Sequence, residues 1–227
     1  MPIARSSLAG AATGVVLLAG AVGFGVGLPE LVEDPGASAA ELPALPDRLD
    51  DRFISLSEST PEDFKADSPE DVTDANDIAK AFGEAEKKAI ANLTDVYGDA
   101  DMRYYRDIDA SLAALNDPTG QTRSAEIIVT VVPGPAGPVL PQGPFENNQN
   151  GAHYELKKLG GHPCAVQWVE SVDPTTGVPT GEELTGANYQ IGCHVQADGV
   201  TFDVVSNGLD PEEYVHYVDV LLEKTEG

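Results

Sequence analysis

The chain has 227 residues, with 38 acidic against 13 basic side chains, a formal charge of −25 and a hydrophobic share of 41%. This suits one sizeable globular domain or two small ones. It excludes polyanion partners, because nucleic acid phosphates and anionic lipid headgroups repel so acidic a surface.

Residues 8–28 read LAGAATGVVLLAGAVGFGVGL, without a charge. As a helix this stretch spans roughly 31 Å, the thickness of a bilayer's hydrocarbon core. Arg5 stands before it, and Glu30, Glu33 and Asp34 follow. The cationic side stays in the cytoplasm, so residues 1–7 are expected as a short cytoplasmic tail and the remainder outside. The rival is a cleaved signal peptide, whose apolar region is shorter and whose small-x-small site follows closely. Here the best such site, Ala37-Ser38-Ala39, lies beyond Pro29 and three acids, so an uncleaved anchor is the stronger expectation. The spacings Gly10/Gly14 and Gly23/Gly27 would let a second copy of this helix approach closely, a route to a homodimer.

Residues 29–73 are expected to form an acidic linker. From position 29 to 77 there are fifteen acids, three bases and six prolines, and self-repulsion should keep such a segment extended. The piece LPDRLDDRFISL has the makings of a short helix. An extracytoplasmic domain, residues 74–227, should follow. Ile78, Phe82, Ala85, Ala89, Leu93 and Val96 are spaced by three and four, which predicts an amphipathic helix ended by Gly98. In DADMRYYRDIDASLAALND, Met102, Tyr105, Ile108, Leu112 and Leu115 have helical spacing, while Met102, Tyr104 and Tyr105 also suit a strand followed by a short helix, which is the preferred of the two readings.

The run AEIIVTVV, residues 125–132, is β-branched and bounded by polar residues and proline, the clearest strand in the chain. Residues 133–151 hold five prolines and three asparagines and read as a long loop. Further strands are expected at 165–171, 187–196 and 200–205, the last two joined by an Asp198-Gly199 hairpin turn. A closing helix takes Asp210 as N-cap, Pro211 at its first position and Glu213 to complete a capping box. Its buried face should hold Tyr214, Val215, Val218, Leu221 and Leu222, with His216 outside it. The expected class is α+β: an antiparallel sheet of about five strands flanked by helices.

The two cysteines each have a histidine within two positions: His162-Pro-Cys164 and Cys193-His194. Zinc would use these ligand types. Cys193 and His194, however, are neighbours on a predicted strand and point to opposite faces, and the Cys-x2-Cys spacing of common zinc modules is missing. A catalytic thiol must stay reduced beside a base, whereas two lone cysteines outside the cytoplasm oxidise together. A Cys164–Cys193 disulfide linking two strands is therefore expected, with no metal.

In order, the chain offers Gly160-Gly161-x-x-Cys164, a strand, a variable loop, a strand ending in Cys193 and then Ala197-Asp198, another strand, and the helix from Asp210. Over residues 160–225 this resembles uncharacterised single-pass membrane proteins of high-GC Gram-positive, actinobacterial type. The chain departs from them at His194-Val195-Gln196, where those proteins often carry a tryptophan. The resemblance implies an anchored ectodomain and no activity.

Motifs for chemistry are sparse. There is no G-x-S-x-G, H-E-x-x-H, P-loop or S-x-x-K, and the GFGVG of residues 23–27 follows no strand. The acid pairs Asp99/Asp101 and Asp107/Asp109 suggest calcium, yet neither precedes the glycine and glutamate of an EF-hand loop. Asn92-Leu-Thr94 is a glycosylation sequon placed on a helix. His153, read as loop-borne, is the best-placed general base, and Trp168 is expected as core beside the disulfide. No catalytic residue, cofactor or metal is assigned. The expectation is a membrane-anchored extracytoplasmic domain that binds or senses an envelope or membrane protein, with an envelope hydrolase or a secreted protein as alternatives.

Overall fold

The computed structural model describes residues 41–117, 124–135, 137–139, 151–173 and 175–225. Eight strands form one antiparallel sheet: β1 Arg48–Leu49, β2 Phe53–Ser55, β3 Asp101–Asp107, β4 Glu126–Pro133, β5 Ala152–Leu159, β6 His162–Val169, β7 Tyr189–Ala197 and β8 Val200–Asn207. The helices are α1 Pro69–Tyr97, α2 Ile108–Leu115 and α3 Pro211–Thr225. The α+β class holds, but the expected five strands become eight, since β1, β2 and β5 add to those read from the sequence.

The strand order is β1-β2-β3-β4-β8-β7-β6-β5. It amounts to two four-stranded meanders joined where β4 pairs with β8, Val129 opposite Val204. β4 and β5 consequently run parallel, four strand positions or about 19 Å apart. Parallel strands so far apart cannot be joined by a tight turn. The described start of that connection lies against one sheet face, where Thr201 Oγ1 donates to Gly134 O at 2.8 Å.

Alternation along each strand divides the sheet into two faces. On the first, Tyr105, Ile127, Val129, Val131, Val166, Ile191, Cys193, Val195, Phe202 and Val204 are buried. They form the main core with Tyr214, Tyr217, Val218 and Leu221 of α3. Asp210 caps α3 by accepting from the backbone N–H groups of Glu212 and Glu213, both at 2.9 Å. Glu213 does not complete the expected capping box; its carboxylate turns to Arg52 at 2.9 Å. Tyr217 joins the buried face instead of Val215 and Leu222, which are partly exposed.

On the second face α1 and α2 cover the β2–β3 end, where Ile54, Leu56 and Ile108 gather with Phe64, Phe82, Tyr104 and Leu112. Helix α1 starts at Pro69, ahead of the predicted apolar stripe that begins at Ile78, behind a Ser68–Asp71 capping box. It is also rotated relative to the predicted apolar stripe. Ala75 and Glu86 are its buried residues, while Ile78 is 37% and Val96 63% exposed. Glu86 turns inward because β2 is too short to cover the upper half of β3. There its carboxylate accepts the Tyr104 backbone N–H at 2.9 Å and meets Arg103 at 3.5 Å. A buried N–H without a partner would cost about 1–3 kcal/mol, so the helix supplies the acceptor that a strand would otherwise provide.

The expected linker boundary at residue 73 is likewise corrected. Leu45, Leu49, Phe53 and Leu56 are all at most 5% exposed, and β1 and β2 extend the sheet. The piece read as a helix is a hairpin, turning at Asp50 with φ 52°. Arg52 fixes this hairpin in place. Its Nε donates to Asp107 at 2.7 Å, and its guanidinium carbon lies 5.1 Å from the Phe53 ring and 6.0 Å from that of Tyr217. Partial burial works against its charge, but hydrogen bonds to Asp107 and Glu213 outweigh this and hold its pKa above the ordinary arginine value. Among the described residues no helix is long and apolar enough to cross a membrane. The proposed anchor, residues 8–28, lies outside the described residues.

Candidate functional site

Cys164 and Cys193 face each other directly on β6 and β7 and are joined in a disulfide, with Cα atoms 4.1 Å apart. That spacing is the narrow, non-hydrogen-bonded pair of an antiparallel ladder. Both residues are 1% exposed and belong to the main core. His194 falls on the opposite face, as strand parity requires, where it meets Asp203 at 3.5 Å and Gly137 O at 3.1 Å. Burial raises the Asp203 pKa, and the neighbouring His194 works against that rise. The Cys-His pairs therefore do not converge. Among the described residues no group of three or more His, Cys, Asp or Glu side chains is placed to hold a metal ion.

The acid pairs are likewise engaged within the chain. Asp99 and Asp101 each accept a hydrogen bond from the backbone N–H of the next residue. Asp107 caps α2 through Ala110 N at 2.8 Å while holding Arg52, and Asp109 meets Lys65 at 2.6 Å.

His153 is on strand β5, not in a loop. Its ring stacks on Trp168, centroids 4.9 Å apart and planes 7° apart, and its Nε2 lies 3.1 Å from Glu170. Trp168 in turn approaches Tyr189 at 6.3 Å and packs against the main core, on the same sheet face as Cys164. The expectation of Trp168 as a core residue holds in part, since it also builds an aromatic ledge at one end of the sheet. His216 Nε2 lies 3.0 Å from Asp50 at the surface, consistent with its expected place outside the buried face of α3.

At Tyr189, the end of the ledge, opens a groove of about 1090 Å³, lined among others by Gln167, Glu170, Glu182, Glu183, Tyr189 and Gln190. Three of its lining residues, Gln167, Gln190 and Asn207, belong to a longer row set by register. Tyr154, Gln167, Gln190, Asn207, Glu126 and Arg106 lie opposite one another in sequence across β5, β6, β7, β8, β4 and β3. Six adjacent strands thus present one polar row on one face. Part of the row is fixed: Asn207 Nδ2 donates to Glu126 at 2.8 Å, and Tyr104 also donates to Glu126. Burial and that carboxylate together push the Tyr104 pKa up to about 12. The groove wall is held by Asn188, which caps the turn Gly186–Asn188 through Thr185 N and donates to Val169 O at 2.8 Å.

Sequence reading missed this row, because its members are single polar residues spread over six strands and only register unites them. Comparison with known protein families, with curated proteins and with solved structures returned no match to this chain.

Proposed function

We propose that the chain is a non-enzymatic binding or sensing domain held outside the cytoplasm, tethered to the membrane through residues 8–28. The observation that carries this reading is the buried Cys164–Cys193 staple between neighbouring strands. Such bonds persist in oxidising compartments and are rare where glutathione keeps thiols reduced. The resemblance of residues 160–225 to actinobacterial single-pass proteins supports the same placement. The groove and its row of amides suit a polar, hydrogen-bonding envelope component. Gln167 and Gln190 sit side by side across β6 and β7 and can offer both donors and acceptors.

Two arms test this on intact cells of the native host. Protease added from outside should remove residues 41–225 and leave a membrane-bound stub; full resistance until the cells are lysed would overturn the placement. A photo-crosslinking residue at position 190 should yield an adduct that position 219, exposed on α3, does not. Identical patterns from the two positions would overturn the groove as the binding surface.

A second reading, an envelope hydrolase, rests on the His153–Glu170 contact at the groove's rim. It requires a nucleophile beside the imidazole. Under that reading His153→Gln abolishes turnover of an ester or peptide substrate, whereas under the binding reading it leaves the position-190 adduct in place.

A further inference from the structure

Strand β5 ends the sheet, and among the described residues its outer side has no neighbour. Eight residues long and without proline, it is an edge of the kind that proteins usually blunt or use. Its hydrogen-bond phase is fixed by the pair just before it, where Glu170 N donates to Gly151 O at 2.8 Å. Odd-numbered residues of β5 therefore bond inward to β6. The backbone N–H and C=O groups of Ala152, Tyr154, Leu156 and Lys158 point outward.

The side chains identify the occupant. β5 reads AHYELKKL, with two lysines and one glutamate, in a chain whose formal charge is −25. It is thus a cationic edge on a strongly anionic molecule, where long-range repulsion between two copies is weakest. Antiparallel pairing of two β5 strands about a twofold axis requires residues of the same parity to face each other. With the axis at Leu156, Glu155 of each copy lies opposite Lys157 of the other, twice over. Moving the axis to residue 155 sets Glu155 against Glu155, and moving it to 157 sets Lys157 against Lys157. The Leu156 register is thus selected against both its neighbours by charge alone. In that register Leu156, 45% exposed in the single chain, covers its own counterpart. The outward backbone groups of residues 154, 156 and 158 also find partners. The glutamate–lysine pairs fall at non-hydrogen-bonded positions, where side chains approach more closely.

We propose that β5 pairs antiparallel with β5 of a second copy about an axis through Leu156, joining two eight-stranded sheets into one. This interface does not depend on the proposed ligand groove, nor on pairing of the amino-terminal segment.

The test uses the full chain with single introduced thiols, its own two cysteines being joined to each other. Leu156→Cys should oxidise to a covalent dimer, since residues facing each other at hydrogen-bonded positions lie about 5.5 Å apart, within disulfide reach. Tyr154→Cys and Lys158→Cys should each form no covalent dimer alone and should link covalently when mixed. Without added thiols, Lys157→Glu should weaken self-association by about tenfold in sedimentation equilibrium, as two attractive pairs become repulsive. The double exchange Glu155→Lys with Lys157→Glu should restore it. Covalent linkage of Leu156→Cys no faster than that of Val178→Cys, an exposed loop control, would overturn the proposal. So would a double exchange as weak as the single one, or a chain that sediments as a monomer throughout.

Discussion

Replacing Arg52 with alanine removes a side chain that ties the first hairpin to both α2 and α3. Arg52 is 36% exposed, whereas its partner Asp107 is only 9% exposed. Breaking a fully buried pair costs about 3–5 kcal/mol, because one charge is left without a partner. Here water can enter the vacated space, and Asp107 still accepts from Ala110 N, so about half of that, roughly 2 kcal/mol, is expected from this contact. The Glu213 arm is 41% exposed and adds at most about 0.5 kcal/mol. Loss of the guanidinium from the Phe53 and Tyr217 rings adds about 0.5 kcal/mol.

The sum, about 3 kcal/mol, should appear as a lower urea midpoint at unchanged slope, and as a fall in Tm of about 6–12 °C. Asp107→Asn, which keeps a good cap, isolates the ionic part. In the double variant the two losses should fall well short of additive. A loss below about 0.5 kcal/mol for Arg52→Ala, or full additivity with Asp107→Asn, would show that the Arg52–Asp107 pair does not hold the hairpin in place.

Three further outcomes follow. Replacing both cysteines with alanine opens a loop of 29 residues and should cost roughly 3.5 kcal/mol in the chain-entropy picture, read from urea denaturation against the oxidised chain. Asp63 is held below the ordinary carboxylate pKa: its partial burial is outweighed by hydrogen bonds from Arg48 and Thr60. A lowered carboxylate pKa stabilises the fold above the ordinary value and loses that contribution as pH falls through the native one. Asp63→Asn should therefore be less stable than the parent at pH 7, with the gap closing in a denaturation series carried below about pH 4. Glu86→Ala should cost about 2–3 kcal/mol by leaving the Tyr104 N–H and Arg103 without their acceptor, and hydrogen exchange at Tyr104 should quicken. Unchanged exchange there would count against α1 as the cover of the β3 edge.

The parts of the fold that were legible in the sequence are those specified by local signals. The run at 125–132 gave β4, and Asp198 and Gly199, with φ 48° and 82°, form the two-residue turn their chemistry predicts. Asp210 and Pro211 open α3 as read. What escaped was set by long-range partners. Leu45, Leu49, Phe53 and Leu56 are spaced like one helix face, and only the left-handed turn at Asp50 and pairing with β3 make them a hairpin. Acidic composition then disguised that hairpin as linker.

β5 is an edge with little burial and so little alternation to read. Gly160-Gly161, with φ 57° and 92°, is nonetheless a two-residue hairpin turn, and it was the available sign of a strand before β6. The inward face of α1 could not come from apolar spacing, because its most buried large residue is Glu86, turned inward by a backbone donor on β3. For the candidate site, strand parity separated Cys193 from His194 in advance. The polar row needed the register of six strands.

Placement of this domain outside the cytoplasm stands or falls with the oxidation state of Cys164 and Cys193 in the cell. Protein in intact cells of its own host can be trapped with a membrane-permeant alkylating reagent, then denatured and weighed before and after reduction. Neither Cys164 nor Cys193 should be modified before reduction, and both should be modified when the reagent is added again after it. Two alkylated cysteines in the unreduced sample would contradict the placement of this domain outside the cytoplasm.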